Sequence, residues 1–363
     1  MPKKILILSN HYITIYAFRR ELVAELCARG HRVYISSPHD ERNGYFEKLG
    51  CTMIDTPMSR RGMNPAEDIK LVRQYKKMMA ELKPDVIFSY TIKPNIYGAM
   101  ASNSLGMKQI CNITGTGATF LKENLLSKLV RQLYRMSIRK CYKVFFQNTG
   151  DRDYFISHGM VKNNYDLLPG SGVNLSQHSL TEMPDEEEIR FIYVGRVMAV
   201  KGIDEYLECA RVIRELVPNT RFYIAGFTEE EKYRQLVEHY AAIGVVEDLG
   251  FQDDIDRWLR HCHCVILPSL GGEGVPNVLL EAAATGRPCI ASDVNGSVDV
   301  VEDGVNGYIF RRGDAASLIE KTEQFLSLSH EEKRQMGLRG HEKVARDFDR
   351  KIVMDKYLGE LEP

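Results

Sequence analysis

Two glutamates, Glu273 and Glu281, stand eight positions apart in the stretch LPSLGGEGVPNVLLEAAATGRP, residues 267–288. Carboxylates so spaced could serve as a general acid and base, hold a metal, or grip two ends of one ligand. Their settings differ. Glu273 follows a glycine pair, whereas Glu281 lies inside an apolar pattern of helical period. Pro276 suits the first position of a helix that Asn277 to Ala284 continue, because that position needs no backbone N–H. Glu273 is then on a loop and Glu281 more than one turn into the helix, so the two need not face each other. Amides around Gly274 and Val275, with the helix N-terminus beyond, make a natural anion site, although Pro276 itself has no N–H to give. A two-ended grip on one elongated ligand fits better than acid–base work. Taken alone, the spacing also describes one surface glutamate and one helix-face glutamate.

A second stretch, YVGRVMAVKGIDEYL, ends a strand at Gly195. Arg196 follows at once, and Lys201 stands five residues on, just before Gly202. Ligands of open α/β sheets bind beyond the carboxyl ends of the strands, so both cations can converge there. A diphosphate needs two such donors and a close backbone approach, which glycine permits. Two solvated loop cations would look the same in isolation.

The elements that must carry these residues are short apolar runs alternating with amphipathic helical stretches. Strands are expected at Ile5–Leu8, Arg32–Ser36, Val86–Ser89, Gln109–Ile113 and Val144–Gln147. Five more are expected at Arg190–Gly195, Arg221–Ala225, Cys264–Pro268, Pro288–Ala291 and Tyr308–Phe310. Helical patterns such as Phe18–Arg29 and Ala66–Leu82 lie between strands. This alternation implies α/β architecture: two Rossmann-like, doubly wound parallel-sheet domains. A Gly-, Ser-, Pro- and acid-rich break at 168–190 separates them, giving domains 1–170 and 171–340. The last stretch, 341–363, reads as a helix that could return to either domain and is assigned to the first.

Composition narrows the function classes. The chain has 363 residues, 44% hydrophobic and 27% charged, as ordinary globular chains do. It holds no apolar run of membrane-spanning length. MPKKILILSNH resembles the start of an export signal, but its apolar run is only Ile5–Leu8, which reads as a first strand. Eight cysteines at irregular spacings suit a reducing, cytoplasmic setting. Net charge is −1, yet residues 1–170 carry 26 Lys and Arg against 14 Asp and Glu, while 171–363 carry 22 against 35. A basic first half suits an anionic partner, and drift in surface composition would give the same asymmetry. Nothing points to nucleic acid.

In combination the motifs say more. The order GRVMAVKG, then PS, GGEGVPNVLLE, AAATGRPCIASD and GSVDVVEDGVNGYIF resembles the GT-B glycosyltransferases of the family-4 type, closely from Phe191 to Phe310. In the first half, SYTIKPNIYGAM and NITGTGATF resemble bacterial enzymes that extend lipid-linked sugars in surface-polysaccharide or glycan assembly. The resemblance implies two domains facing across a cleft and a nucleotide-sugar donor. It implies that Gly195, Arg196 and Lys201 hold the donor diphosphate and that Glu281 hydrogen-bonds the ribose. Glu273 would contact the sugar hydroxyls, with Gly274, Val275 and Asn277 beside it. The DLGFQDD turn would cradle the base, with Leu249–Phe251 as candidates. Two departures stand out. Pro276 replaces a glycine common in the family, and Ile92 and Lys93 stand where many members carry a histidine after S-x-T, so no catalytic histidine is assigned.

On the first domain, Ser9, Asn10, His11, Tyr16, Arg19, Tyr90, Lys93, Asn95, Thr114 and Gly115 are candidates for the acceptor side of the cleft. GTGATF lacks the third glycine of a dinucleotide fingerprint. Asp253–Asp256 and Asp151–Asp153 contain the D-x-D that holds a divalent cation in another glycosyltransferase fold, but each opens a helical pattern, so capping is the stronger reading. His261–Cys264 reads HCHC, yet it enters an apolar strand where four adjacent ligands cannot all turn inward. Lys122–Lys143 holds Lys122, Lys128, Arg131, Arg135, Arg139, Lys140 and Lys143 against one acid, Glu123, with Leu125, Leu126, Leu129 and Leu133 interleaved. Such a helix either packs on a core with a solvated basic face or lies on an anionic membrane. Lys128, Arg131, Arg135 and Arg139 are the expected membrane contacts.

The expectation is therefore a retaining, metal-independent glycosyltransferase. It would move a sugar (an N-acetylhexosamine or a hexose) from a UDP-sugar to a polyprenyl-diphosphate-linked sugar at the inner membrane face, without a cofactor beyond the donor. Arg196, Lys201 and Glu273 would carry the chemistry. Two other readings use the same frame: a nucleotide-sugar epimerase or hydrolase, and a non-catalytic nucleotide-sugar-binding subunit.

Overall fold

The computed structural model describes residues 1–59, 64–120, 124–185 and 187–362. They divide into two units, Met1–Ser171 with Met354–Pro363, and Gly172–Val353. The first contains β1 (Lys4–Leu8), β2 (Arg32–Ser37), β3 (Thr52–Asp55), β4 (Val86–Tyr90), β5 (Gln109–Ile113), β6 (Lys143–Phe146) and β7 (Tyr165–Leu167). They form a seven-stranded sheet in the order β3-β2-β1-β4-β5-β6-β7, parallel throughout. The second contains β8 (Ile189–Val194), β9 (Thr220–Ala225), β10 (Glu247–Gly250), β11 (Cys264–Leu267), β12 (Cys289–Ser292) and β13 (Gly307–Phe310). These form a parallel sheet in the order β10-β9-β8-β11-β12-β13. Two doubly wound α/β domains are thus present, as their sequence pattern implies.

Why the central strands were legible is plain from their burial. Ile5 to Leu8 are 0% exposed and every residue of β4 and β5 is buried, as expected for strands covered by helices on both faces. The three strands that the pattern misses, β3, β7 and β10, each have half-open or exposed residues throughout. They lie at sheet edges, where little apolar surface is needed.

In each sheet the strand order reverses once, between β1 and β4 and between β8 and β11. Crevices outside the carboxyl ends at such switch points are where open α/β sheets take ligands. The residues that follow β1 are Ser9–His11, and those that follow β4 are Thr91–Lys93. After β8 come Gly195 and Arg196, and after β11 come Ser269–Glu273.

The C-terminal stretch differs from a single helix at 341–363. One helix spans His330–Asp347 and a second Arg350–Gly359. The break is imposed by Val173, whose N–H donates to Phe348 O at 2.8 Å while its carbonyl accepts from Arg350 N at 3.0 Å. Residues up to Val353 belong to the second unit, and only those from Met354 to the first. There Tyr357 is 0% exposed, its ring edge-on to Phe88 and Phe145.

Candidate active site

In the second unit, backbone contact brings the two loops together. Gly202, at φ +73°, is pressed so close to the end of β11 that a Cβ there would sit 1.9 Å from Pro268 O. Leu270 N donates to Val200 O at 2.9 Å. The short turn Ala199–Lys201 is therefore fixed against the loop that carries Glu273. Lys201 Nζ pairs directly with the Glu273 carboxylate, their side chains 19% and 20% exposed. Ser269 Oγ donates to Glu273 Oε1 at 3.0 Å and itself accepts from Gly271 N at 3.3 Å. Lys201 and Glu273 thus hold each other, a contact that the sequence reading did not include.

Arg196 is held by its backbone: the buried Tyr193 hydroxyl donates to Arg196 O at 2.7 Å. Burial, then the nearby Glu273 charge, pushes the Tyr193 hydroxyl pKa up, so Tyr193 stays a neutral donor. The Arg196 side chain is half-buried and has no hydrogen-bond or ion-pair partner among the described residues. With Lys201 offset by Glu273, Arg196 is the uncompensated cation at the end of β8.

The next helix spans Asn277–Ala284, with Pro276 at its N-cap (φ −66°, ψ 118°) rather than in the first turn. Pro276 makes no side-chain cap and the first turn has no acid; Leu279 N donates to Pro276 O at 3.2 Å, so the amides of Asn277 and Val278 ahead of it are the ones that can meet an anion. Gly296, at φ +82°, packs onto this segment: a Cβ there would lie 1.7 Å from Gly274 O. The 295–297 turn thereby shapes the Gly274–Val275 backbone. Asn277 Oδ1 and Ser297 Oγ, both buried, have no hydrogen-bond partner among the described residues. Such atoms are rare in native folds and mark places that a ligand or water completes. Ser297 escapes sequence reasoning because a serine before a short helix has many ordinary explanations. Glu281 is half-buried, on the same helix as Asn277 and four residues farther on.

Phe251 is 59% exposed after β10, and Phe227, 46% exposed after β9, has its ring 6.3 Å away at 56°. Two exposed aromatics so placed could receive a base. The rule of looking after each strand would have found Phe227 in YIAGF, had it been applied to β9.

In the first unit the acceptor-side candidates scatter. Asn10 is half-open beyond β1, and Tyr16 stacks on Tyr12 at 5.4 Å and meets Tyr45 edge-on at 5.0 Å. Thr114 and Gly115 are half-open beyond β5. Arg19 corrects the expectation: it is 2% exposed, donating to Phe18 O at 2.7 Å and lying over the rings of Tyr90 and Tyr357 at 5.2 and 5.6 Å. Arg19 sits on the buried face of its helix, so it packs against Tyr357 rather than facing a ligand. Asn95 is likewise internal, bonding Ser89 Oγ and Asn112 O at 2.8 Å. Lys93 is paired with Asp68 at 3.0 Å, the two side chains 11% and 8% exposed. Thr91 adopts φ +71° and ψ 165°, a region almost reserved for glycine, and its Oγ1 is buried without a partner.

The decoys resolve into structure. Asp254 caps the helix Ile255–His261, and Asp256 pairs with His178 at 3.0 Å. In the other D-x-D the cap is Asn148, three residues ahead, and Asp151 N donates to it at 2.7 Å. His263 is 0% exposed, with Nδ1 accepting from Arg190 N and Nε2 meeting Asp185 O, both at 3.0 Å.

The helix Leu125–Ser137 corrects one membrane expectation and sharpens another. Arg131 is 9% exposed and donates to Tyr154 OH at 3.0 Å, and Arg135 Nε donates to His158 O at 2.7 Å. Arg131 is thus held inside, whereas Arg135 stays exposed. Lys128 and Arg139 are exposed, and so are Leu125 (84%), Leu126 (45%), Leu129 (48%) and Met136 (59%). The core face is Ser127, Val130 and Tyr134, so most of the leucine stripe points outward. Lys122 and Glu123 lie outside the described residues. Among the described residues no helix is long and apolar enough to cross a membrane.

Comparison with known proteins agrees with this geometry. Residues 181–343 match the family model of glycosyl transferases group 1, and residues 4–148 match that of glycosyl transferase 4-like proteins. The chain is 25% identical, over 97% of its length and 96% of the relative's, to a Campylobacter jejuni protein named N,N'-diacetylbacillosaminyl-diphospho-undecaprenol alpha-1,3-N-acetylgalactosaminyltransferase. It is 25% identical, over 72% of each chain, to an Escherichia coli UDP-Gal:alpha-D-GlcNAc-diphosphoundecaprenol alpha-1,3-galactosyltransferase. Its fold matches Anabaena HepE, solved with UDP and glucose, at TM-score 0.80 and 16% identity over 99% of both chains. Sucrose-phosphate synthase from Thermosynechococcus elongatus matches at TM-score 0.80 and 18% identity over 99% and 98%. Two matching family models covering both halves, a relative aligned nearly end to end and the twin doubly wound sheets lead to one conclusion: the chain belongs to the GT-B glycosyltransferases of the family-4 type.

Proposed function

We propose that the protein transfers a sugar from a UDP-sugar to a polyprenyl-diphosphate-linked sugar, with retention of anomeric configuration and without a metal. The observation that carries this reading is the convergence, at the switch point of the second sheet, of Arg196, the Lys201–Glu273 pair and the open start of the helix at Asn277. Leaving-group departure places negative charge on the donor's distal phosphate. Arg196, which has no internal counter-charge, is aimed at that charge, and the amides from Gly274 onward add fixed dipoles. Lys201 joins it while Glu273 orients the ammonium and contacts the sugar hydroxyls. Glu281 takes the ribose, and Phe251 with Phe227 takes the base. The relatives named above act, by their names, on diphospho-undecaprenol-linked sugars, and one uses UDP-Gal. That supports the acceptor class and the donor nucleotide. The outward leucines of Leu125–Ser137, with Lys128 and Arg139, suit an anionic bilayer surface on which such an acceptor resides.

Transfer from radiolabelled UDP-sugars tests the reading. Arg196→Ala should lower kcat/KM by roughly 10²–10³-fold, the usual loss when a group that stabilises developing charge is removed. EDTA should leave the rate unchanged. Near-normal turnover in Arg196→Ala, or a metal-restorable loss in EDTA, contradicts it.

A further inference from the structure

Tyr193 stands on β8, 0% exposed, in the core of the second unit. Its ring packs on Tyr206 with the centroids 5.4 Å apart. Phe191, two residues back on the same face of the strand, stacks on Phe222 at 4.8 Å, so bare rings suit this core. The Tyr193 hydroxyl therefore needs a reason of its own, because burying it costs free energy that a hydrogen bond only offsets. Its partner among the described residues is Arg196 O, at 2.7 Å.

That bond closes the turn after β8. Gly195 makes the turn at φ +154°, a backbone that side chains rarely adopt. Backbone contacts hold the residues on either side of Arg196. Gly195 N donates to Ala225 O at 2.9 Å, and Val197 N donates to Phe227 O at 3.1 Å. A Cβ on Gly226 would stand 1.8 Å from Gly195 O, so β9 presses on the turn as closely as glycine allows. Arg196 itself is left to the tyrosine. Its carbonyl accepts from no other group among the described residues, and neither its N–H nor its guanidinium has an acceptor there. The hydroxyl thus fixes the peptide group that follows the uncompensated cation. It is also near the Lys201–Glu273 pair, since the Glu273 charge, second to burial, pushes its pKa up.

We propose that Tyr193 is a positioning residue for the transfer: its hydroxyl holds the Arg196 main chain so that the guanidinium meets the donor's distal phosphate. Tyr193 touches no substrate and acts through Arg196. A bond made before the donor arrives removes freedom that Arg196 would otherwise lose on binding, and this is how fixed groups come to stabilise developing charge. The inference rests on the donor site proposed above, and its test reads binding rather than turnover.

UDP ends in the charge that the leaving group acquires, whereas UMP lacks the phosphate that Arg196 meets. The experiment is calorimetric titration of the full chain with each nucleotide, in wild type, Tyr193→Phe, Arg196→Ala and the double variant. UMP should bind all four alike. UDP should bind Tyr193→Phe about five- to tenfold more weakly than wild type, the scale of one neutral hydrogen bond. Added to Arg196→Ala, the Tyr193→Phe change should alter UDP affinity by less than about twofold, because the residue through which the hydroxyl acts is gone. Full UDP affinity in Tyr193→Phe overturns the proposal. So does an equal loss for UDP and UMP, which would make the hydroxyl a general support of the fold, and so does the same loss of UDP affinity with Arg196 already removed. Wild type that binds neither nucleotide would count against the proposed donor, and the same four proteins would then be compared with GDP and GMP under the same criteria.

Discussion

At the residue scale, the Lys201–Glu273 pair is the contact on which the proposed donor site turns. Each side chain is about one-fifth exposed, so desolvation offsets much of what the pair gains in Coulomb attraction. Its value lies in orientation. Glu273→Gln should therefore lower kcat of the folded protein by more than about tenfold, because Lys201 loses the charge that aims it. Denaturant titration beside steady-state kinetics checks this; a variant that unfolds easily but turns over normally when folded would make the pair structural. The sequence shows that Glu273 is on a loop and Glu281 on a helix, and the structure keeps that distinction. It could not show that Lys201 and Glu273 touch, because they are 72 residues apart and meet only through the packing of Gly202 on Pro268. Arg19 shows the opposite failure. A polar residue near the end of β1 was read as facing ligand, but its helix turns it inward onto Tyr357, 338 residues away.

At the element scale, glycines set the shape of the donor loops. Gly296→Ala must push a methyl group into Gly274 O, 1.7 Å from the ideal Cβ, and adopt φ +82°. Gly304 has φ +73° but open space around it. Gly304→Ala should cost only the left-handed backbone term, about 1–2 kcal/mol, and Gly296→Ala clearly more, with weaker UDP binding besides. Equal costs in chemical denaturation would mean that the 295–297 turn does not press on Gly274 as described. Strands buried on both faces announce themselves as apolar runs, which is why β1, β4, β5, β8 and β11 were readable. Edge strands such as EDLG at β10 carry no such run. The break at Phe348–Asp349 depends on hydrogen bonds to Val173, far away in the chain, and no local pattern records it.

At the scale of the whole molecule, the proposed function joins a basic first half to a nucleotide-sugar site in the second. In the proposed reading the exposed leucines of Leu125–Ser137 lie on the bilayer. Leu125→Glu/Leu129→Glu should cut co-sedimentation with anionic vesicles by at least about tenfold, since each leucine buried in lipid contributes on the order of 1.5–3 kcal/mol. Undiminished binding would place the contact elsewhere. Leucine spacing left core and membrane readings equal, and the burial of Val130 and Tyr134 shows only that most of the leucines turn away from the core. The central claim is group transfer to a lipid-linked sugar. Its most direct measurement follows UDP release and glycosylated lipid together, with and without a polyprenyl-diphosphate-linked acceptor. Acceptor-dependent UDP release, matched mole for mole by lengthened lipid-linked saccharide, is the predicted result; UDP release or sugar conversion at the same rate without acceptor would contradict it.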